Sequence, residues 1–198
     1  MVFATKHILA LGLVATVAGC GASGGSGGST SGTTLGAVPK PSDYQSVLSD
    51  LTAATPSDTT QLTPQSSLPT SGQATYYGVS SLTLDGDIFT IYLGGTTMVV
   101  DFAKSTVTGE AKDFHKKSST TTSLASVTGS LDFIDIKLSG NNDAGIGSGI
   151  TGSAEGTLDG KDVDVDVSGG FFGSKAENVS ITFSDPVTKS GGVALLTK

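Results

Sequence analysis

Beyond the first twenty residues the chain has one histidine, His115, and its one cysteine is Cys20. Ser-His-Asp or Cys-His chemistry would therefore have to pass through His115. That residue stands in Phe114-His115-Lys116-Lys117, ahead of a Ser/Thr run to Ser123. This context reads as a strand end entering a solvated loop. The sharper reading is a ligand to haem or a similar small molecule. Lys112, Lys116 and Lys117 form the only basic cluster and could steer an acidic partner, or simply solvate a hairpin tip.

Other apparent motifs dissolve in composition. Gly147-Ser148-Gly149-Ile150-Thr151-Gly152 matches G-x-G-x-x-G, but no helix pattern follows to hold a pyrophosphate. The G-x-S-x-G matches at 21–25 and 24–28 lie in a glycine-serine tract without a strand-to-helix turn. Asp162, Asp164 and Asp166 alternate along one strand face. They lack the loop and the distal Glu of a calcium site, so a solvated outer face explains them. No catalytic residue, metal site or cofactor is expected, and the chain is not expected to be an enzyme.

Cys20 has a different chemistry. Lys6 precedes an apolar stretch from Ile8 to Val17, which is the length of a signal-peptide core and too short for a membrane span. It ends in Val17-Ala18-Gly19-Cys20, a pattern that resembles the bacterial lipobox. There the signal is cut before the Cys and the thiol takes a diacylglycerol. Several acyl chains anchor far more firmly than one. Gly21, not Asp, follows the Cys, which favours the outer membrane over retention at the inner one.

The composition narrows the remaining classes. Of 198 residues, 28 are Gly, 27 Ser and 27 Thr; Trp and Arg are absent, and the formal charge is −7. Nucleic-acid binding needs a basic stripe that is missing here. Arg clamps on phosphate or carboxylate are impossible. Residues 1–19 read as the signal peptide and 20–73 as a tether on the lipidated Cys, rich in Gly, Ser, Thr and Pro. Some 53 such residues have a root-mean-square reach of roughly 40 Å. One interruption is helical: Tyr44, Val47, Leu48 and Leu51 fall at i, i+3, i+4 and i+7 behind Ser42-Asp43. It reads as a patch docked on the domain, with a partner-binding segment as the alternative.

From residue 74 to 198 the period is two. Phe89, Ile91 and Leu93 alternate with Ile88, Thr90 and Tyr92, and Val163, Val165 and Val167 alternate with the three Asp residues. Turn signals stand at Asp85-Gly86, Gly94-Gly95, Gly140-Asn141-Asn142, Asp159-Gly160 and Gly191-Gly192. The expectation is an all-β fold, an eight-stranded antiparallel barrel whose interior is filled by side chains or holds one small ligand. Phe171 shares parity with Val163–Val167 and points inward. Phe172 then points out as a contact anchor, unless a bulge at Gly169-Gly170 buries it. Tyr76, Tyr77 and Tyr92 pose the same question.

Val99-Val100-Asp101-Phe102 with Val107-Thr108-Gly109 resembles the second hairpin of transferrin-binding protein B barrel domains. Leu158 to Ala176, with Gly169-Gly170-Phe171-Phe172-Gly173 and Ala176-Glu177, resembles their last large hairpin, and Gly192-Val193-Ala194-Leu195 resembles their close. Asn178-Val179-Ser180 after Glu177 departs from the pattern, and there is room for one barrel and no handle domain. The resemblance implies a surface lipoprotein of the outer membrane whose barrel binds a partner protein, with a role in iron or nutrient acquisition. Candidate contacts are Phe172, Tyr76, Tyr92, Lys116 and Lys117. The alternatives are a haem-type carrier using His115 and a passive structural lipoprotein of the envelope.

Overall fold

The structure is a computed structural model that describes residues 35–55, 62–121, 123–139 and 149–198. Cys20, the expected signal peptide at 1–19, most of the glycine-serine tract and the turn expected at Gly140-Asn141-Asn142 lie outside the described residues.

Alternation and turn chemistry together generate eight long antiparallel strands: β1 (Gln73–Thr83), β2 (Thr90–Asp101), β3 (Thr106–Ser118), β5 (Gly129–Ser139), β6 (Gly149–Leu158), β7 (Lys161–Phe172), β8 (Asn178–Asp185) and β9 (Ser190–Thr197). A two-residue strand, β4 (Ala125–Ser126), pairs with the end of β3. The order β2-β1-β9-β8-β7-β6-β5-β3 closes on itself through β2 and β3. Among the described strands, closure leaves no long one with an open edge. Asp159 and Gly160 both have positive φ, 56° and 77°, so the β6–β7 connection is the two-residue turn that matches strand twist.

The interior is packed with rings and branched side chains. Phe171 lies 5.9 Å from Tyr76 and 6.0 Å from Phe102 between ring centroids, and Phe133 lies 6.2 Å from Phe183. Val163, Val165 and Val167 are buried while Asp162, Asp164 and Asp166 are exposed, as the parity of β7 requires. One polar pair sits inside: Ser80 and Thr96 share a hydrogen bond of 2.6 Å.

Two expected turns are not turns. Gly94-Gly95 is not a turn; β2 runs straight through it, with a bulge opposite β3 between Leu93 and Gly95. Gly191-Gly192 likewise lies within β9, and the turn precedes it. In β2 it is Tyr92 that enters the core, while Leu93 is buried from outside. The cover is helix α1 (Tyr44–Ala54), the helical patch read from the sequence. Tyr44 is fully buried and packs with Val79 and Leu93, and Leu51 is fully buried as well. Burial of side chains of this size is worth roughly 1.5–3 kcal/mol each. The folded body therefore includes residues well before Ala74.

The bulge explains how the helix seats. Asp113, at φ 55°, is the extra residue on β3. Its carbonyl accepts the Tyr44 hydroxyl at 3.2 Å. A Cβ on Gly94 would lie 2.5 Å from the Phe114 ring inside the barrel, and one on Gly95 would collide with Val38 outside.

Candidate binding surface

At one end of the barrel, β2 begins, β3 finishes and the β6–β7 turn closes. There Lys116 Nζ donates to Asp159 Oδ2 at 2.7 Å, and Tyr92 Oη donates to the same oxygen at 3.2 Å. The bond from Lys116 is the largest influence holding the Asp159 carboxyl below its usual range; burial acts against it and the Tyr92 hydroxyl with it. Desolvation, followed by the Asp159 charge, raises the Tyr92 phenol. The Lys116 ammonium is raised, first by its bond to Asp159. Beside this trio is an open cavity of about 330 Å³ lined by Thr90, Tyr92, Lys116, Ser118, Thr121, Ser123 and Ala125. Its lining is rich in hydroxyls and carries one cation, which suits a polar, hydrogen-bonding group. Among the described residues no cluster of His, Cys, Asp or Glu could hold a metal ion.

The residues singled out from sequence fall into two groups. Tyr92, Lys116 and Lys117 share this end, although Tyr92 is only 5% exposed. Tyr76 and Phe172 are corrected. Tyr76 is fully buried in the core, and its hydroxyl donates to Ala176 O at 2.8 Å. Phe172 points outward without any register slip, since Phe171 still opposes Val179 and Phe172 opposes Asn178. It is nevertheless 6% exposed, because Leu62 bridges to it and Thr63 N–H donates to Phe171 O at 2.8 Å. Neither ring is a free surface anchor. His115 is half-buried at the edge of α1, with its ring 6.2 Å from Tyr44 and Nδ1 3.0 Å from Asp113 O.

The motifs behind the family resemblance prove structural. Asp101 accepts Lys104 N–H at 3.0 Å and Gln73 Nε2 at 3.1 Å, which fixes the β2–β3 turn. Gly109 leaves room for the Phe133 ring. Glu177 accepts Lys175 N–H at 2.9 Å and Ser174 Oγ at 3.3 Å, which shapes the β7–β8 turn around Gly173. The described half of the G-x-G-x-x-G match, Gly149 to Gly152, lies on β6 and opens no helix.

A feature missed in the sequence is a row of carboxylates on the outer wall. Glu110 opposes Asp132, Asp132 opposes Glu155, and Glu155 opposes Asp164 across four neighbouring strands. Only the strand register brings them abreast.

A closed antiparallel barrel with these hairpin motifs defines a known class. The family model described as the C-lobe and N-lobe β-barrels of Tf-binding protein B matches residues 68–195. That match covers more than half of the chain, and the protein belongs to this family. Among solved structures, the chain is similar to a mutant transferrin binding protein B from Haemophilus parasuis Hp5 at 19% identity and a TM-score of 0.45, over 69% of this chain and 28% of that one. It is similar to isotype 1 transferrin binding protein B from serogroup B Neisseria meningitidis at 20% identity and a TM-score of 0.46, again over 69% and 28%. A structure described as a surface lipoprotein matches at 16% identity and a TM-score of 0.43, over 68% of this chain and 64% of that one. The chain thus spans little more than a quarter of the two transferrin binding proteins. No curated protein matches it.

Proposed function

We propose that the protein is a lipoprotein anchored at Cys20 in the bacterial outer membrane, with residues 1–19 as its signal peptide, and that its barrel captures a partner protein for iron or nutrient acquisition. The observation that carries this reading is family membership over 68–195. The Val17-Ala18-Gly19-Cys20 pattern supplies the anchor. The barrel offers a rigid, edge-free body, and rigid bodies bind with little ordering cost. It is a binding module and not a catalyst. Transferrin is the first partner to test, because it is what the named relatives bind.

The test is surface plasmon resonance with the immobilised chain, first against iron-loaded transferrin and then against fractionated extracellular protein of the host. Saturable binding of one component, lost when the chain is unfolded, supports capture. Absence of any saturable component supports the passive envelope role instead. A Soret shift on adding haem that disappears in His115→Ala would favour the carrier reading.

A further inference from the structure

Ile88, Phe89 and Val187 are the three most exposed large apolar side chains among the described residues, at 67%, 64% and 87%. All three stand at the same end of the barrel. Ile88 and Phe89 lie between β1 and β2, and Val187 lies between β8 and β9. These connections are neighbours because β1 pairs with both β2 and β9. They are also joined directly, since Asp85 N–H donates to Ser190 Oγ at 3.1 Å.

The tips are held in place. Phe89 N–H donates to Asp87 Oδ1 at 2.9 Å, and Val187 N–H donates to Asp185 Oδ1 at 2.8 Å. Each is an Asx turn, in which the carboxylate ties down the backbone two residues on. Ser119 N–H donates to Phe89 O at 2.7 Å and braces the same loop from β3. Exposed apolar side chains on braced tips are pre-organised for contact.

The charge here differs from the rest of the molecule. Residues 84–90, 116–121, 158–161 and 185–190 carry four Asp and four Lys, whereas the whole chain carries −7. Two of the Asp are paired, Asp85 with Lys161 and Asp159 with Lys116, each at 2.7 Å. The other two, Asp87 and Asp185, are the carboxylates that brace the tips. This end is therefore locally neutral and apolar at its tips, with the hydroxyl-lined cavity starting at Thr90, the residue after Phe89.

Chain length selects the occupant. Val38 already packs at Gly95 on the outer wall of the barrel. Only 18 residue steps separate it from Cys20. A Gly/Ser-rich chain of that length reaches about 23 Å. If Cys20 is acylated, the body lies within a few nanometres of the lipid at all times, at high effective concentration. We propose that this end of the barrel seats on the membrane surface, with Ile88, Phe89 and Val187 entering the headgroup boundary and the hydroxyl-lined cavity facing the headgroups. The opposite end, with the Phe102–Ser105 and Gly173–Glu177 turns, then faces away from the membrane toward partners. This rests on the proposed anchor, and apolar area buried at the headgroup boundary is what holds an interfacial element to lipid.

The chain has no Trp, so Phe89→Trp is a unique reporter. The full chain carrying it is added to vesicles of phosphatidylethanolamine and phosphatidylglycerol, with and without lipid brominated on the acyl chain. The account expects a blue-shifted emission and at least two-fold quenching by the brominated lipid. Lys104→Trp, on the opposite end where the side chain is 75% exposed, should show neither. Repeating the titration in Cys20→Ser separates the two claims. Retention on vesicles should fall, yet the Phe89→Trp shift should persist at high lipid, and Ile88→Ser with Val187→Ser should weaken it at least ten-fold. A Phe89→Trp signal that stays unshifted and unquenched at every lipid concentration overturns the seating, whether or not the chain is anchored, and leaves the tips to a protein partner. Equal quenching of both reporters overturns it too.

Discussion

Gly95 lies directly beneath Tyr44: a Cβ built on Gly95 would stand 2.9 Å from the Tyr44 hydroxyl and collide with Val38. The missing side chain is what lets the segment ahead of the barrel close onto its outer wall. Gly95→Val should push α1 off the wall at a cost of about 1–3 kcal/mol, the usual range for overpacking. Urea melts give the cost, and hydrogen exchange over 44–54 locates it. Unchanged protection of α1 in the variant would show that the helix is held by other contacts.

The same geometry fixes where the folded body starts. Tyr44 and Leu51 are fully buried, so limited proteolysis should leave a fragment that begins at or before Val38. The Gly/Ser-rich composition ahead of it predicts cleavage there first. A stable fragment beginning near Ala74 would mean that α1 contributes little to the fold.

On β7, Val165 is 1% exposed and its neighbour Asp164 faces water. Val165→Asp buries an unpaired charge, which costs several kcal/mol against a total of ~5–15 kcal/mol, and should unfold the domain or nearly so. Asp164→Lys should do the opposite. It breaks the row Glu110–Asp132–Glu155–Asp164, where like charges stand side by side, and should stabilise by about 0.2–1 kcal/mol, less in high salt. If Asp164→Lys destabilised the domain, the outer wall would depend on that carboxylate.

Asp159 links the cavity to acid. Its folded pKa is lowered, chiefly by the Lys116 bond. Its contribution is therefore present above the ordinary carboxylate value of ~3.9 and is lost as the pH falls through the lowered folded value. Lys116→Met should bring the Asp159 titration, followed by carboxyl NMR, upward toward the ordinary value. It should also let the Tyr92 hydroxyl lose order at milder acidity. No upward movement would show that Lys116 does not hold the carboxylate.

How far the sequence could be read follows from what each residue contacts. β7 was legible because Asp and Val alternate, and each face meets only one environment. β2 was not, because Ile91 and Leu93 are covered by α1 while Tyr92 enters the core, so both parities are apolar or aromatic. Gly94-Gly95 looked like a turn because glycine marks both turns and close approaches; only Phe114 on one side and Val38 on the other reveal which. Phe172 looked exposed because its cover, Leu62-Thr63, lies 110 residues away in the chain. The helical patch was legible from its own spacing. The Lys116–Asp159–Tyr92 trio was not, since it joins three elements that only barrel closure brings together. The exposed tips at Ile88, Phe89 and Val187 likewise gave no local signal to separate them from strand residues.

Anchorage at Cys20 underlies both the proposed function and the proposed seating of the barrel on the membrane. The most direct test is the mass of the N-terminal peptide of the protein purified from bacterial membranes. The account predicts a chain that begins at Cys20 and carries a diacylglyceryl group on its sulfur, and a Cys20→Ser variant that leaves the membrane fraction. A peptide that begins at Met1, or at any residue other than Cys20, or one with a free thiol at that position, would contradict it.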